Sequence, residues 1–196
     1  MCIRDRGKSY FDNGKVKETL PYSKGYLQGT AELFNYNGES LISLKFENGV
    51  FLGYSYLDSE GQQKEIISIP GGTGVIEAYF PNGKKSVEYN IEAGVIKGEY
   101  LRYYSNGQLE AKVSYGEGVV HGLTESYYDT GKRRHQLSYA YGEKHGEHNF
   151  YYPNGKLKRA ENWMYGEQHG MTTLYDENET ITLKIRYRGD VPYDFE

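Results

Sequence analysis

Polar and apolar residues alternate along short stretches of this chain. Between positions 108 and 115 every second side chain is apolar or aromatic: Leu109, Ala111, Val113 and Tyr115. The side chains between them are polar: Gln108, Glu110, Lys112 and Ser114. Alternation with a period of two predicts a β-strand with two different faces. Other stretches keep the same register, and no window shows the 3.6-residue period of a helix.

Three interleaved series of glycines mark an internal repeat of about 24 residues, which predicts a repeat array. The first series is Gly14, Gly38, Gly61, Gly83, Gly107, Gly131 and Gly155. The second series is Gly29, Gly53, Gly74, Gly98, Gly122, Gly146 and Gly170. The third precedes the second by four residues, with Pro70 in place of glycine in the third unit: Gly25, Gly49, Gly94, Gly118, Gly142 and Gly166.

Each first-series glycine stands in a short turn motif such as FDNGK, YSNGQ or YDTGK. Asn-Gly suits a two-residue type I′ hairpin, but Thr130 and Glu60 occupy the Asn position in other units, and Thr tolerates positive φ poorly. Pro81 and Pro153 precede that position, where a type I turn accepts proline. We therefore predict a three-residue loop, a type I turn whose glycine alone has positive φ. A five-residue Gly-x-x-x-Gly loop such as GVVHG is expected to join each hairpin to the next.

Hairpins joined by short connections pair in sequence order. The predicted fold is all-β: an elongated, single-layer antiparallel meander solenoid of about seven to eight 24-residue hairpin repeats. The expected boundaries are a non-repeat N-terminal segment at 1–6, the array at 7–190 and a C-terminal tail at 191–196. The third repeat, near 53–74, is irregular, and its Pro70 cannot donate to a ladder, so we expect a bend or a pairing defect there.

Aromatic residues recur in the array at fixed places. One column, five positions after the second-series glycine, contains Phe34, Tyr79, Tyr103, Tyr127, Tyr151 and Tyr175. The next column faces the other way and contains Phe80, Tyr104, Tyr128 and Tyr152. The first column is either a structural ladder or an exposed one. As a contact surface, we expect it to comprise Tyr103, Tyr127, Tyr151 and Tyr175 together with Arg102.

Composition narrows the class of protein. With 22 Tyr and 25 Gly in 196 residues, any core depends on tyrosine more than on aliphatic side chains. The net charge of −4 and the absence of long basic runs argue against nucleic-acid binding. No long apolar run indicates a membrane helix, and the single cysteine, Cys2, excludes a disulfide framework. A cytoplasmic location is expected, with the caveat that 1–6 matches no later repeat and the true N-terminus, with any export signal, could lie elsewhere.

No residues stand out as a catalytic or metal site. His121, His145 and His169 precede second-series glycines, but equivalent residues of successive units lie two strands, about 10 Å, apart and cannot share a metal. Lys97 and Gln28 occupy the same place in other units, so these histidines are interpreted as residues of a repeat position. No enzyme activity and no cofactor are expected.

The unit Tyr-Tyr-x-Asn-Gly-(Lys/Gln)-Leu…Tyr-x-x-Gly-x-x-x-Gly resembles the MORN-repeat variant. The resemblance is clearest in YYSNGQLEAKVSYGEGVVHG and YYPNGKLKRAENWMYGEQHG, and it extends from about Gly7 to Gly189. MORN-type arrays are hairpin scaffolds with proposed protein and lipid contacts, and bacterial chains made of the variant repeat resemble the YwqK-type antitoxin family. The resemblance thus implies a protein-binding, antitoxin-like scaffold whose partner and oligomeric state stay open.

Two alternatives remain beside a protein partner. One is a lipid or membrane-surface contact, because six basic residues cluster on neighbouring hairpins: Lys132, Arg133, Arg134, Lys156, Lys158 and Arg159. The other is a small-molecule or carbohydrate site on the tyrosine face.

Overall fold

The computed structural model describes residues 6–195, which form consecutive antiparallel strands. The predicted segment 1–6, with Cys2, lies outside the described residues except for the backbone of Arg6, where β1 begins. A seven-stranded sheet contains β1 (Arg6–Tyr10), β2 (Val16–Ser23), β3 (Tyr26–Leu27), β4 (Gly29–Phe34), β5 (Ser40–Glu47), β6 (Val50–Ser55) and β7 (Ile67–Ser68).

A twelve-stranded sheet follows, and in both sheets strands that are neighbours in sequence pair with each other. Its strands are β8 (Gly74–Tyr79), β9 (Lys85–Glu92), β10 (Val95–Tyr103), β11 (Leu109–Gly116), β12 (Val119–Tyr127), β13 (Arg133–Ala140), β14 (Glu143–Tyr151), β15 (Leu157–Met164), β16 (Glu167–Gln168), β17 (Gly170–Tyr175), β18 (Ile181–Arg188) and β19 (Val191–Phe195). Residues 191–195, expected to be a tail, are thus a strand paired with β18. No helix among the described residues has the length and apolar character to cross a membrane.

The first-series glycines confirm the predicted turn. All seven have positive φ, from 78° at Gly61 to 93° at Gly155, while the residues before them do not. In the turn after β12 the Gly131 amide donates to the Tyr128 carbonyl at 2.8 Å, and the Tyr128 amide donates to the Lys132 carbonyl at 2.8 Å. This is the hydrogen bonding of a type I turn followed by a glycine bulge. In the last turn Glu179 replaces glycine and takes the left-handed conformation itself, with φ 70°.

The predicted five-residue Gly-x-x-x-Gly loop is wrong. The connection is a two-residue turn, for example Glu117–Gly118 between β11 and β12, in which both residues have positive φ, 49° and 79°. Two left-handed residues in succession define a type I′ turn, whose twist matches that of the flanking strands. The second-series glycine then lies inside the following strand, where the register shifts, as at Gly122 in β12.

The third repeat is interrupted as predicted. β7 has two residues, Pro70–Gly72 form a short 3₁₀ turn, and β8 begins a separate sheet at Gly74. Pro70 lacks the amide hydrogen that a β-ladder needs, so the seven-stranded sheet ends in the region where a pairing defect was predicted.

The chain divides into two compact units, one up to residue 110 and one from residue 111. In the first unit the single-layer expectation fails, because strands of both sheets contribute to one core. The Ser86 hydroxyl of β9 donates to the Leu41 carbonyl of β5 at 2.7 Å. Aliphatic side chains concentrated in these repeats exclude water there: Leu41, Ile42, Ile76, Ala78 and Val87 are at most 1% exposed. Burying them provides the hydrophobic stabilisation that one layer would lack.

The second unit, from residue 111, has a different interior. Its buried side chains are mostly polar, and several rings contact one another across its strands, for example His135 and Phe150, which meet edge to face with centroids 5.0 Å apart. Aromatic contacts between strands therefore contribute to the stability of this unit.

Candidate functional site

Three of the four predicted tyrosines share one face of the second unit. Register pairs Glu125 of β12 with Gln136, then Asn149, Ala160 and Thr173 on the next strands, and paired residues point to the same side. Tyr127, Tyr151 and Tyr175 each stand two residues beyond this row and therefore on the same side. Their Cα partners on the neighbouring strands complete what we call the tyrosine row: Tyr127, Arg133, Tyr151, Leu157, Tyr175 and Ile181.

Arg133 is the most constrained member of the tyrosine row. Its guanidinium forms an ion pair with Glu125 at 2.9 Å and donates to the Gln136 side chain at 2.9 Å. The Tyr151 hydroxyl is a further hydrogen-bond partner. Arg133 pairs in register with Tyr127, so a fixed cation lies between two phenol rings and keeps 41% of its side chain exposed.

Burial keeps the phenol of Tyr127 neutral. Partial burial, with the neighbouring Glu125 carboxylate, raises the pKa of Tyr127. A tyrosine with a raised pKa donates hydrogen bonds and presents its ring, but it is a poor base or nucleophile near neutral pH. The arrangement is therefore suited to binding.

Tyr103 belongs to the first unit, in a related arrangement 48 residues earlier. There Lys85 occupies the place of Arg133, paired in register with Tyr79 and bonded to Glu77 at 2.8 Å and to Glu88 at 2.9 Å. The hydrogen bonds that the Lys85 ammonium donates to these two carboxylates raise the pKa of Lys85. Burial and the Glu88 charge raise the pKa of Tyr103, so this phenol is neutral as well.

Arg102 is not part of the tyrosine face. It precedes Tyr103 in β10 and therefore points to the opposite side of the sheet, where it pairs in register with Val87. Its guanidinium lies 3.5 Å from the fully buried Glu110 carboxylate, and 5.7 Å from the centre of the Phe11 ring. In the repeat that contains Tyr103, Leu101 stands where Glu125 stands in the repeat of Tyr127, so this position has no carboxylate.

The other face of the second unit is occupied by contacts within the chain. The Lys144 ammonium lies 3.8 Å from the centre of the Trp163 ring, and the Arg159 guanidinium 4.1 Å from that of Phe150. His148 is 1% exposed and has Tyr139 and Trp163 as ring neighbours, at 5.6 and 5.8 Å.

The basic residues that suggested a lipid contact are each engaged within the protein. The Lys132 ammonium donates to the Asn154 carbonyl at 2.9 Å, and Arg134 is 7% exposed. Arg159 forms an ion pair with Glu161 at 2.9 Å, while Lys158 lies over the Tyr152 ring at 5.5 Å. The sequence brought these charges together in the chain, but the fold distributes them over both faces and a turn.

The histidines of the repeat position act as hydrogen-bond acceptors where the structure shows a partner. His121 Nδ1 accepts the amide hydrogen of Tyr141 at 3.2 Å, as Gln28 Oε1 accepts that of Asn48 at 2.7 Å. The side chain at this position therefore satisfies the first residue of the next type I′ turn. Within residues 6–195, no group of three or more His, Cys, Asp or Glu side chains could hold a metal ion.

A groove of about 650 Å³, with both polar and apolar side chains in its lining, lies on the first unit, and a smaller one of about 260 Å³ shares Thr30 and Glu32 with it. Burial raises the pKa of Glu32, whose carboxylate accepts the Ser43 hydroxyl at 2.7 Å. The Gln63 amide donates to the Ser55 hydroxyl at 2.6 Å, which extends this polar network along the groove wall.

Two exposed aromatic residues of the second unit are not among the residues that the sequence predicts for a contact surface. Tyr141 and Tyr165 are 81% and 70% exposed, and both stand at the first position of a type I′ turn. Each precedes a third-series glycine in the sequence, which is the signal for a type I′ turn, but the expected Gly-x-x-x-Gly loop is longer than this turn.

Comparison with known proteins agrees with this geometry. The model of the MORN repeat variant matches residues 6–24, 96–116, 120–141 and 144–163. No curated protein matches the chain. The four matched segments each contain a strand, a tight turn or both from the regular hairpin pattern described above. These four segments are MORN-variant repeats.

Proposed function

We propose that this chain is a non-catalytic scaffold that binds a partner protein through the tyrosine row of its second unit. The observation that supports this proposal most is the position of Arg133 beside Tyr127. Contacts with Glu125, Gln136 and Tyr151 hold its guanidinium in place. MORN repeats in general are non-enzymatic modules involved in protein and membrane-lipid interactions, which fits a binding scaffold.

The composition of the row supports a protein partner. Tyr and Arg are the residues that most often dominate the binding energy of protein interfaces. A tyrosine has few rotatable bonds, so it loses little entropy on binding, and an arginine already fixed by neighbours loses less than a free one. Leu157 adds apolar area between Tyr151 and Tyr175, and Ile181 adds apolar area beside Tyr175 at the end of the row. An antitoxin-like role is the finer form of this proposal, and in that case the partner is a toxin.

The test is affinity purification of the partner followed by a binding measurement with both purified proteins. Tyr127→Ala with Tyr151→Ala is expected to weaken binding at least tenfold while the melting temperature falls by only a few degrees. Arg133→Met should weaken binding as well, since it removes the charge and leaves much of the stem. Lys158→Met, on the same hairpins but packed over Tyr152, is the matched control. Unchanged affinity in the double variant, or loss of folding in it, would make the row structural.

A small polar ligand is the second candidate, and the groove around Glu32 favours it. Hydroxyl, amide and carboxyl groups line its walls, as in sites for neutral hydroxylated molecules. Millimolar cellobiose or maltose should raise the melting temperature of the wild type but not that of Glu32→Gln. No shift with either sugar would remove the evidence for a carbohydrate site in this groove.

A further inference from the structure

Tyr141 and Tyr165 hold backbone conformations that bulky residues avoid. Their φ angles are 50° and 49°, in the left-handed region. A side chain of this size is disfavoured in that conformation relative to the usual regions. Asparagine before glycine is the preferred solution for a type I′ turn, and the chain uses it at Asn48–Gly49.

Folding gains little from these two rings, because 81% of Tyr141 and 70% of Tyr165 face solvent. Each ring does lie on a histidine: His121 is 4.8 Å from Tyr141 and His145 is 4.9 Å from Tyr165, between centroids. These tilted ring contacts restrict the orientation of the tyrosine rings without covering their outer faces. Strained residues that are exposed and held in one orientation are typical of binding sites.

Carboxylates alternate with the rings along this edge. Glu143 begins β14 directly after the Tyr141 turn, and its carboxyl carbon lies 3.9 Å from the site of a Cβ on Gly166, next to Tyr165. Glu167 extends in the same way over the following turn, 3.0 Å from the site of a Cβ on Gly189. The order along the edge is therefore Tyr141, Glu143, Tyr165 and Glu167. Because equivalent turns lie two strands apart, the rings repeat about every 10 Å.

The neighbouring cation does not neutralise this edge. Lys144 follows Glu143 but directs its ammonium to the ring of Trp163, 3.8 Å from its centre. Glu117 adds a further acid at the preceding turn. The exposed aromatic edge is thus acidic, which disfavours an anionic lipid surface and favours cationic side chains.

We propose that this edge is a second contact surface, which takes an extended, arginine-bearing segment of a partner protein. A guanidinium stacks on a tyrosine ring and pairs with a carboxylate at the same time, which an ammonium does less well. In a segment with the extended polyproline II conformation, which has three residues per turn, residues three apart point to the same side and are separated by about 9 Å, so arginines at every third position match the repeat of the edge. The surface uses the turns, and it is separate from the tyrosine row on the sheet face.

The experiment measures binding of a fluorescent nine-residue peptide, Ser-Ser-Arg repeated three times, to the full chain by anisotropy. Tyr141→Asn with Tyr165→Asn builds the preferred turn residue at both places. We expect this double variant to bind at least tenfold more weakly without a lower melting temperature. Ala93→Asn makes the same backbone change in a turn that carries no ring, with φ 49°, and should bind like the wild type. An equally strong complex with the double variant would overturn the proposal.

Further arms separate the alternatives. Glu143→Gln with Glu167→Gln should weaken binding at least threefold and reduce its salt dependence, and a peptide with glutamate in place of arginine should not bind. Tyr127→Ala with Tyr151→Ala should leave peptide binding unchanged, so this surface and the tyrosine row can fail independently. A lower melting temperature in the asparagine double variant would make the rings structural. Stronger retention of the wild type than of this variant on phosphatidylcholine vesicles, without peptide binding, would assign the edge to a membrane.

Discussion

The hydroxyl of Tyr128 donates a hydrogen bond to the carbonyl oxygen of Tyr151, 2.8 Å away and one repeat later in the chain. Tyr152 makes the same bond to Tyr175 at 2.7 Å. In these two Tyr-Tyr pairs the first ring therefore stands in the tyrosine row, and the second forms a hydrogen bond to the next repeat. This difference explains why two adjacent tyrosines recur although they face opposite sides.

Tyr128→Phe removes that bond and keeps the ring. Because the Tyr151 carbonyl loses its side-chain donor, we expect a loss of about 0.5–1.5 kcal/mol in the free energy of unfolding. Urea titration measures it. Tyr141→Phe removes the hydroxyl of an exposed ring and should change the free energy of unfolding by a few tenths of a kcal/mol at most. Equal stability of the two variants would contradict the structural role of Tyr128.

Gly131→Val places a β-branched residue at φ 81°. The loss of stability should exceed about 1 kcal/mol, because valine strongly resists the left-handed region. Thr130→Val is the control, since the same side chain then stands one residue earlier, where φ is not positive. If both substitutions cost the same in thermal unfolding, the glycine does not carry the turn.

Gly53 lies where two strands approach closely. A Cβ there would lie within 2.4 Å of the Ile67 carbonyl oxygen, so Gly53→Ala must displace β7 from β6. Gly74 has a similar φ, 159° against 153°, but its nearest neighbours would be 3.8 Å away. Gly53→Ala should therefore cost about 1–3 kcal/mol more than Gly74→Ala. Faster hydrogen exchange around Ile67 in the first variant alone would locate the effect.

His148 should make the stability depend on pH. Burial lowers its pKa below 6.5, and the nearby Lys144 charge acts in the same direction. A depressed pKa in the folded state means that the contribution is complete above pH 6.5 and is lost as the pH falls through the folded value. The free energy of unfolding should therefore fall from pH 7 to 5 more steeply in the wild type than in His148→Gln. Parallel profiles would show that His148 is not responsible.

The candidate site was predicted in part. Spacing alone aligned Tyr127, Tyr151 and Tyr175, because a strand period of two and a repeat of 24 residues fix which side chains share a face. The prediction failed at Arg102, because this residue is one position before Tyr103 and adjacent residues of a strand point to opposite faces. It did not identify the place of Arg133 among Glu125, Gln136 and Tyr151, since the register of neighbouring strands decides those contacts.

The sequence by itself determined the local structure of this protein. Glycine at a fixed spacing set the type I turns, since almost no other residue accepts φ near 80°, and Pro70 ended the first sheet because it lacks an amide hydrogen. Only the tertiary structure decided that strands of both sheets form one core in the first unit. Burial of Leu41, Ile42, Ile76 and Val87 depends on contacts between residues about 35–45 positions apart, and a repeat pattern describes neighbours only. The tertiary structure also decided the type I′ turns, because pairing of the flanking strands imposes left-handed φ even on Tyr141 and Tyr165.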